Sequence, residues 1–435
     1  MTVRVVGAGL AGCEAAIQLA RRGFSVRLFD MKPEERSPAH HSDLFAELVC
    51  SNSLKAARVS SAAGLLKEEM RRLGSVCMQA ADVSTVPAGG ALAVDRTRFS
   101  QEVTRLVTSQ PGVEVVCRRV DDWDPDAPTI LATGPLTDDR LFSVISERCN
   151  GSLSFFDAAA PIVTTESLDM DRAFRASRYD RGGDDYINCP MNREEYESFY
   201  DALVSAERVE QKSFEKDFPL YEGCMPIELM AQRGRDTIRF GPLKPVGLRD
   251  PRTGHRPWAN VQLRAEDREG TLCNLVGFQT NLKFAEQKRV FSMIPALRDA
   301  EFVRYGVMHR NSFLCSPRVL NPDLSMKSAP MTFFAGQITG VEGYMESASN
   351  GIVAGINLAR KLRGEAALSL PEFTMIGALT SYVTHGGVAE FQPMGANFGI
   401  LPPLASPIRD KQERGLALAN RSLEWYEQNK GVLMA

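Results

Sequence analysis

No CxxC pair occurs anywhere in this 435-residue chain; its nine cysteines are scattered, and the nearest two, Cys50 and Cys77, stand 27 residues apart. That scatter disfavours a zinc ribbon and a thioredoxin-like dithiol. An odd, unclustered count points instead to free thiols in a reducing compartment. No run is apolar for long enough to span a bilayer, and Met-Thr-Val-Arg leads straight into an apolar strand without the charged leader and apolar core of a signal peptide. The expectation is a cytoplasmic protein with neither a membrane partner nor a metal. A large positive charge is missing too. The net charge of −3 argues against coating nucleic acid by bulk electrostatics, although a local basic patch stays open. With 44% hydrophobic and 24% charged residues the composition is ordinary. The length exceeds one typical core, so two domains are expected.

What the chain does have is glycine in two informative places more than 300 residues apart. Val3 to Val6 reads as a buried parallel strand. Gly7, Ala8, Gly9, Leu10, Ala11 and Gly12 then form a GxGxxG turn opening a helix that stops at Gly23. A second strand, Ser25 to Phe29, ends at Asp30, 18 residues beyond Gly12, where a carboxylate can accept from ribose hydroxyls. The glycines let the backbone approach a pyrophosphate, whose charge the helix N-terminus favours. Thr129 to Gly134 reads as another strand ending in a small turn, with Thr133 and Gly134 at its tip. The second glycine segment, Phe333 to Gly351, places Gly336, Gln337, Gly340, Gly343 and Tyr344 after an apolar strand. No second complete GxGxxG exists, so FAD is favoured over a tightly held nicotinamide, which would dock transiently.

Between about Pro135 and Leu320 the pattern changes. Asn192 and Glu195 form a capping box for an amphipathic helix from Arg193 to Glu207, whose Tyr196, Phe199, Tyr200 and Leu203 read as core in preference to a ligand platform. Thr237–Phe240, Ala259–Arg264 and Leu272–Phe278 read as strands between Gly and Pro punctuation. Arg233, Arg235, Arg239, Lys244, Arg249, Arg252, Arg256 and Arg264 gather here, either as solvated loop residues or as phosphate contacts for RNA, with Trp258 able to stack on a base. The fold class expected is α/β: a discontinuous Rossmann-like FAD-binding domain, 1–155 and 300–435, with an inserted mixed α/β domain, 156–299, as candidate RNA binder.

Among the cysteines, Cys117 and Cys273 sit in apolar strand-like runs and read as small buried residues. Cys50, in ELVCSNSLK, and Cys224, in YEGCMPIE, instead lie in turn chemistry. A thiol there needs a cationic or dipolar neighbour to ionise.

Several segments together carry a resemblance: AHHSDLFAELVCSNSLK, GLLKEEMRRL, VPAGGALAVDR, YEGCMPIELMA, FGPLKPVGL, YGVMHRNSF, GQITGVEGYMESASNG and QPMGANFG. They resemble the bacterial folate- and FAD-dependent tRNA (uracil-5-)-methyltransferases over nearly the whole chain. A related flavoprotein that helps modify wobble uridines shares the first glycine motif but carries a long C-terminal helical region for which this chain has no room.

The resemblance implies that a one-carbon unit from 5,10-methylenetetrahydrofolate reaches carbon 5 of a T-loop uridine in tRNA. Reduced FAD would act as carrier and reductant, and NADH or NADPH as electron source. It implies catalytic roles for Cys224 as the carbon-6 nucleophile and for Cys50 as general base or flavin-side thiol, their division less secure than the pair. It places His309 against the folate pterin, although from its context alone His309 reads as structural. It sets Tyr344 near the flavin ring, and one departure from the family is Asp30, where glutamate is usual. Two alternatives remain: the same chemistry on ribosomal RNA, and a small-molecule FAD oxidoreductase without an RNA substrate.

Overall fold

A computed structural model describes residues 1–435 apart from 38, 150–152, 159, 181–182, 210–224, 268, 307, 386–390 and 435. Among the described residues two large hydrophobic cores form, with no member in common, beside a small cluster of Val86, Ala88 and Ala93. The larger draws on residues from Val3 to Cys149 and from Phe313 to Leu433. The smaller runs from Ala160 to Ala300, with Phe302 packed on it, a few residues past the insertion expected at 156–299.

The larger core surrounds a six-stranded sheet in the order Ser325–Met326, Ala329–Phe334, Thr129–Leu131, Thr2–Val6, Ser25–Asp30, Val113–Cys117. All its pairings are parallel except that of the short edge strand Ser325–Met326. Parallel strands buried on both faces need apolar runs, and Val3, Val5, Val26, Leu28 and Ile130 supply them. Cys117 departs from expectation. It is exposed, because it ends the outermost strand.

Helices Leu10–Arg21 and Tyr344–Leu362 cross in close contact over this sheet. A Cβ at Gly351 would stand 2.2 Å from the Ala11 carbonyl oxygen, and one at Gly355 2.8 Å from that of Ala15. Part of the second glycine segment therefore serves helix packing, while Gly336, Gln337, Tyr344 and Ser347 face the site.

The inserted sheet is antiparallel, in the order Phe174–Arg175, Tyr186–Met191, Ala259–Ala265, Leu272–Leu275, Ile162–Thr164, Phe302–Arg304. Helix Arg193–Ser205 covers one face with Tyr196, Phe199 and Leu203, opened by the expected capping box: Glu195 N–H donates to Asn192 at 2.9 Å, and Asn192 N–H to Glu195 at 2.8 Å. Thr237–Phe240 is a single helical turn instead of a strand. Asp236 accepts the backbone N–H groups of Arg239 and Phe240, Gly241 ends the turn, and only Ile238 is buried. The strand expected to reach Phe278 stops at Leu275, because Gly277 turns with φ +79° against Pro242. An antiparallel ribbon, Leu153–Ala158 with Met308–Phe313, joins the two units.

Candidate active site

A cleft of about 1200 Å³ opens beyond the carboxyl ends of the parallel strands, where ligands bind in open α/β sheets. Gly7, Ala8, Gly9, Leu10, Ala11, Asp30, Thr133, Gly134, Gly336, Gln337 and Tyr344 all line it. Gly12, Gly340 and Gly343 do not, and each is glycine for a packing reason. A Cβ on Gly12 would lie 1.8 Å from the Gly7 carbonyl oxygen, one on Gly340 2.5 Å from the Phe391 ring, and one on Gly343 2.1 Å from the Glu346 carboxylate. Gly9 and Gly134 are different: a Cβ at either meets nothing within 4 Å, so their bare backbone leaves space.

The residues present fit a dinucleotide. Gly9 is the N-cap of a 12-residue helix without a side-chain cap, so first-turn N–H groups are left to an incoming anion. Asp30 stands at the end of the second strand and accepts from Ala8 N–H at 2.8 Å and Lys32 N–H at 2.9 Å. These bonds hold the carboxylate at the cleft wall, at the place where ribose is met. His40, Glu47, Arg118 and Arg119 also line the cleft. His40 and Glu47 belong to the segment AHHSDLFAELVCSNSLK, where no role was read for them, and Arg118 and Arg119 lie outside any motif.

Beside Val49 and Tyr344 of the cleft lining stands Cys50, half-buried and outside any disulfide. The Tyr344 hydroxyl accepts from Cys50 N–H at 2.8 Å and from Ser51 N–H at 3.2 Å, and lies 3.0 Å from Cys50 Sγ. With both lone pairs engaged by backbone donors, the tyrosine has one proton left, and it points to sulfur. Burial pushes the Tyr344 hydroxyl well above the usual phenol range, and an anionic Cys50 pushes it further. The tyrosine therefore stays a donor, and a donor favours the anionic form of its acceptor.

Three arginines, Arg264 buried and Arg96 and Arg304 half-buried, strap the same loop. Arg96 donates to the carbonyls of Leu48 at 2.9 Å and Val49 at 3.2 Å while pairing with Glu266 at 2.5 Å. Arg304 also donates to Val49 O. Arg264 donates to Asn52 and to Ser51, each at 2.8 Å. Burial, with the neighbouring charge of Arg96, lowers the pKa of Arg304 and of Arg264; at Arg96, Glu266 outweighs burial and the pKa is raised. Arg96 and Arg304 both act electrostatically on Cys50 and Tyr344. A thiol needs such cationic neighbours to ionise.

Cys224 lies outside the described residues. The chain resumes at buried Met225 and enters helix Ile227–Gln232 behind Pro226. His309 falls on strand Met308–Phe313, with its backbone paired to Asp157. The basic series divides. Arg264 is internal, Arg252 pairs with Asp250 at 2.7 Å, Arg235 with Asp201 at 2.8 Å, and Arg239 pairs with Asp236 while stacking 3.8 Å over Trp258. Lys244, Arg249 and Arg256 face outward. Among the described residues no His, Cys, Asp and Glu cluster could hold a metal, and no helix is long and apolar enough to cross a membrane.

The doubly wound sheet, the glycine cradle and the Asp30 terminus define an FAD-binding flavoprotein with a cysteine-bearing loop beside its cleft. Comparison with known proteins narrows the class. The chain belongs to the family described as "Glucose inhibited division protein A", whose model matches residues 2–366. It is 57% identical over 423 residues to the methylenetetrahydrofolate–tRNA-(uracil-5-)-methyltransferase TrmFO of Acetivibrio thermocellus, covering 97% of both chains. It is 56% identical to the enzyme of that name from Lactiplantibacillus plantarum, covering 97% of this chain and 96% of the other. In fold it matches Aquifex aeolicus GidA with a TM-score of 0.70 at 16% identity, covering 99% of this chain and 74% of that one.

Proposed function

We propose that the protein transfers the one-carbon unit of 5,10-methylenetetrahydrofolate to carbon 5 of a T-loop uridine in tRNA, forming 5-methyluridine. The observation that carries this reading is Cys50 held by Tyr344 at the flavin cleft of a chain more than half identical, along its whole length, to enzymes of that name. FAD, when bound, supplies the two electrons that take the delivered carbon from methylene to methyl, and NADH or NADPH replaces them. Gly7 to Ala11, Asp30, Thr133, Gly134, Gly336 and Gln337 hold it, and Tyr344 walls its reactive end.

Carbon 5 of uracil is a weak nucleophile until a thiolate adds at carbon 6 and drives electron density onto it. Cys224 takes that role. Once carbon 5 has bonded to the new carbon, its proton must leave before the thiolate can be expelled. Cys50 accepts that proton in this reading, its thiolate supported by the Tyr344 hydroxyl and by Arg96 and Arg304. His309 orients the folate. The unit from 156 to 299 grips the RNA, and the enzyme works in the cytoplasm without a metal.

The test is the purified enzyme and its two cysteine variants. The protein should carry FAD, and Cys50→Ala and Cys224→Ala should each lose methyl transfer while keeping the flavin. Undiminished transfer by Cys224→Ala sinks the mechanism. A product in ribosomal RNA, with none in tRNA, redirects the substrate.

A further inference from the structure

Two of the conspicuous sequence segments, VPAGGALAVDR and FGPLKPVGL, supply no residue to the lining of the flavin cleft, although Arg96, the last residue of the first, holds the Cys50 loop. The first supplies Gly89 and Gly90 to the lining of a second cleft of about 680 Å³ at the seam between the two units, and the second stands behind that lining, with Val246 and Gly247 against Arg178 and Tyr179. On one side is a small three-stranded sheet, Ser53–Ala56, Ala91–Val94 and Thr85–Val86, and on the other the polar face of the inserted sheet. The seam is tied shut beside the cleft. Tyr186 donates to the Ala88 carbonyl at 2.9 Å, and Gly89 N–H donates to Asp185 at 2.5 Å, which engages that acid.

We infer that this cleft seats a nucleotide of the RNA substrate outside the reacting uridine. The inference rests on the RNA reading above and deepens it. A nucleotide needs a cation for its phosphate, a flat face for its base and a few fixed polar groups for its edge or ribose. Each is present in the lining. Arg178 is half-buried and fixed, with Nε donating to Gln262 at 2.7 Å and Nη1 to the Val246 carbonyl at 2.9 Å, which leaves Nη2 for a ligand. Arg58 stands exposed across from it.

Tyr179 supplies the face. Its ring is 55% exposed although large and aromatic, and its backbone takes the left-handed conformation at φ +59°. It is seated on Gly247, where a Cβ would come within 2.9 Å of the ring, and its N–H donates to the Gly247 carbonyl at 2.9 Å. A left-handed non-glycine residue is held in place only by its surroundings. Here they hold an aromatic plane toward solvent.

The second independent sign of a ligand is Ser177. It is 5% exposed, lines the cleft, and its hydroxyl has no hydrogen-bond partner. A buried polar group without a partner costs stability unless something external satisfies it. The cleft is also linked to the chemistry. Gln262 and Arg264 stand two residues apart on one strand and on one face, about 7 Å apart by strand geometry. Gln262 holds Arg178 and Arg264 holds Ser51 and Asn52, so the cleft and the Cys50 loop are about one nucleotide step apart.

The experiment uses the flavin-loaded enzyme, unmodified tRNA transcript, and the variants Arg58→Gln and Tyr179→Ala. Each variant should weaken tRNA binding about tenfold, and Arg58→Gln should lower the salt dependence of binding by about one ion. Flavin content and thermal unfolding report the integrity of each variant. As a second measure, 4-thiouridine-substituted tRNA crosslinked to the wild-type enzyme should label the peptide containing Tyr179. Wild-type affinity in both variants, or crosslinks that avoid this seam, overturns the inference while leaving the RNA reading intact. A wild-type enzyme that neither binds nor methylates tRNA instead overturns the reading on which it rests.

Discussion

Replacing Tyr344 by phenylalanine removes one oxygen and three interactions at once. The hydroxyl accepts two backbone N–H groups of the Cys50 loop and contacts the Cys50 sulfur at 3.0 Å. A hydrogen bond to a charged acceptor contributes about 1.5–3 kcal/mol, and each orphaned, partly buried N–H adds about 1 kcal/mol or less once water reaches it. Arg96, Arg304 and Arg264 still strap the loop, so it loosens without unfolding. The net loss at the sulfur is about 2 kcal/mol, which converts to roughly a 30-fold fall in turnover at about 1.4 kcal/mol per tenfold. The assay is single-turnover methyl transfer at saturating tRNA, with flavin content and tRNA affinity measured in parallel. Alkylation of Cys50 at neutral pH, followed by peptide mapping, should slow by a similar factor, because the thiolate has lost its donor. Turnover and Cys50 alkylation both within twofold of the parent would refute the reasoning.

Other consequences are separable. Gly9→Ala should leave the apoprotein as stable as the parent and weaken FAD binding, since its Cβ enters open cleft, whereas Gly12→Ala should lower Tm steeply, since its Cβ meets the Gly7 carbonyl at 1.8 Å; thermal melts with and without FAD distinguish the two. Arg264→Met should cost about 2–4 kcal/mol by stripping a buried partner from Asn52 and Ser51, with methyl transfer lost before FAD binding. Glu69, fully buried beneath the N-terminus of helix Met375–Thr384, accepts from Met375 N–H at 2.7 Å, Ile376 N–H at 2.8 Å and the Ser422 hydroxyl at 2.6 Å, and burial pushes its carboxyl from the ordinary 4.5 up to about 7. Between those values the native state holds a proton that the unfolded chain has released, so stability is highest below pH 4.5 and falls as pH rises through 7. The contribution reaches at most about 3 kcal/mol. Tm measured from pH 5 to 8 should decline in the parent and lose that slope in Glu69→Gln; a parent with no slope shows that the three donors keep the carboxylate ionised.

The flavin half of the molecule was largely legible in the sequence, because period, spacing and glycine chemistry are local. Val3, Gly7, Gly9 and Asp30 fall where a strand, a turn and a second strand put them, and all but Val3 line the cleft. The glycines were harder to sort. Gly12, Gly340 and Gly343 look like cofactor contacts in sequence and are packing contacts in space, since only the fold shows which backbone each Cβ would strike. Arg264 was read within a basic series, yet the alternation of its strand turns it inward to Ser51, more than 200 residues away. Cys117 was misjudged because an apolar run does not reveal that its strand is the edge of the sheet. The cationic neighbours that Cys50 was said to need could not be named, because Arg96 and Arg304 come from different ends of the chain.

The central claim is the origin and destination of one carbon. Holoenzyme, NADPH, tetrahydrofolate carrying a labelled methylene carbon and unmodified tRNA transcript should yield label in 5-methyluridine at a single T-loop position, and none when the target is cytidine. An enzyme that holds FAD and is reduced by NADPH, yet leaves every uridine unlabelled, would contradict the account.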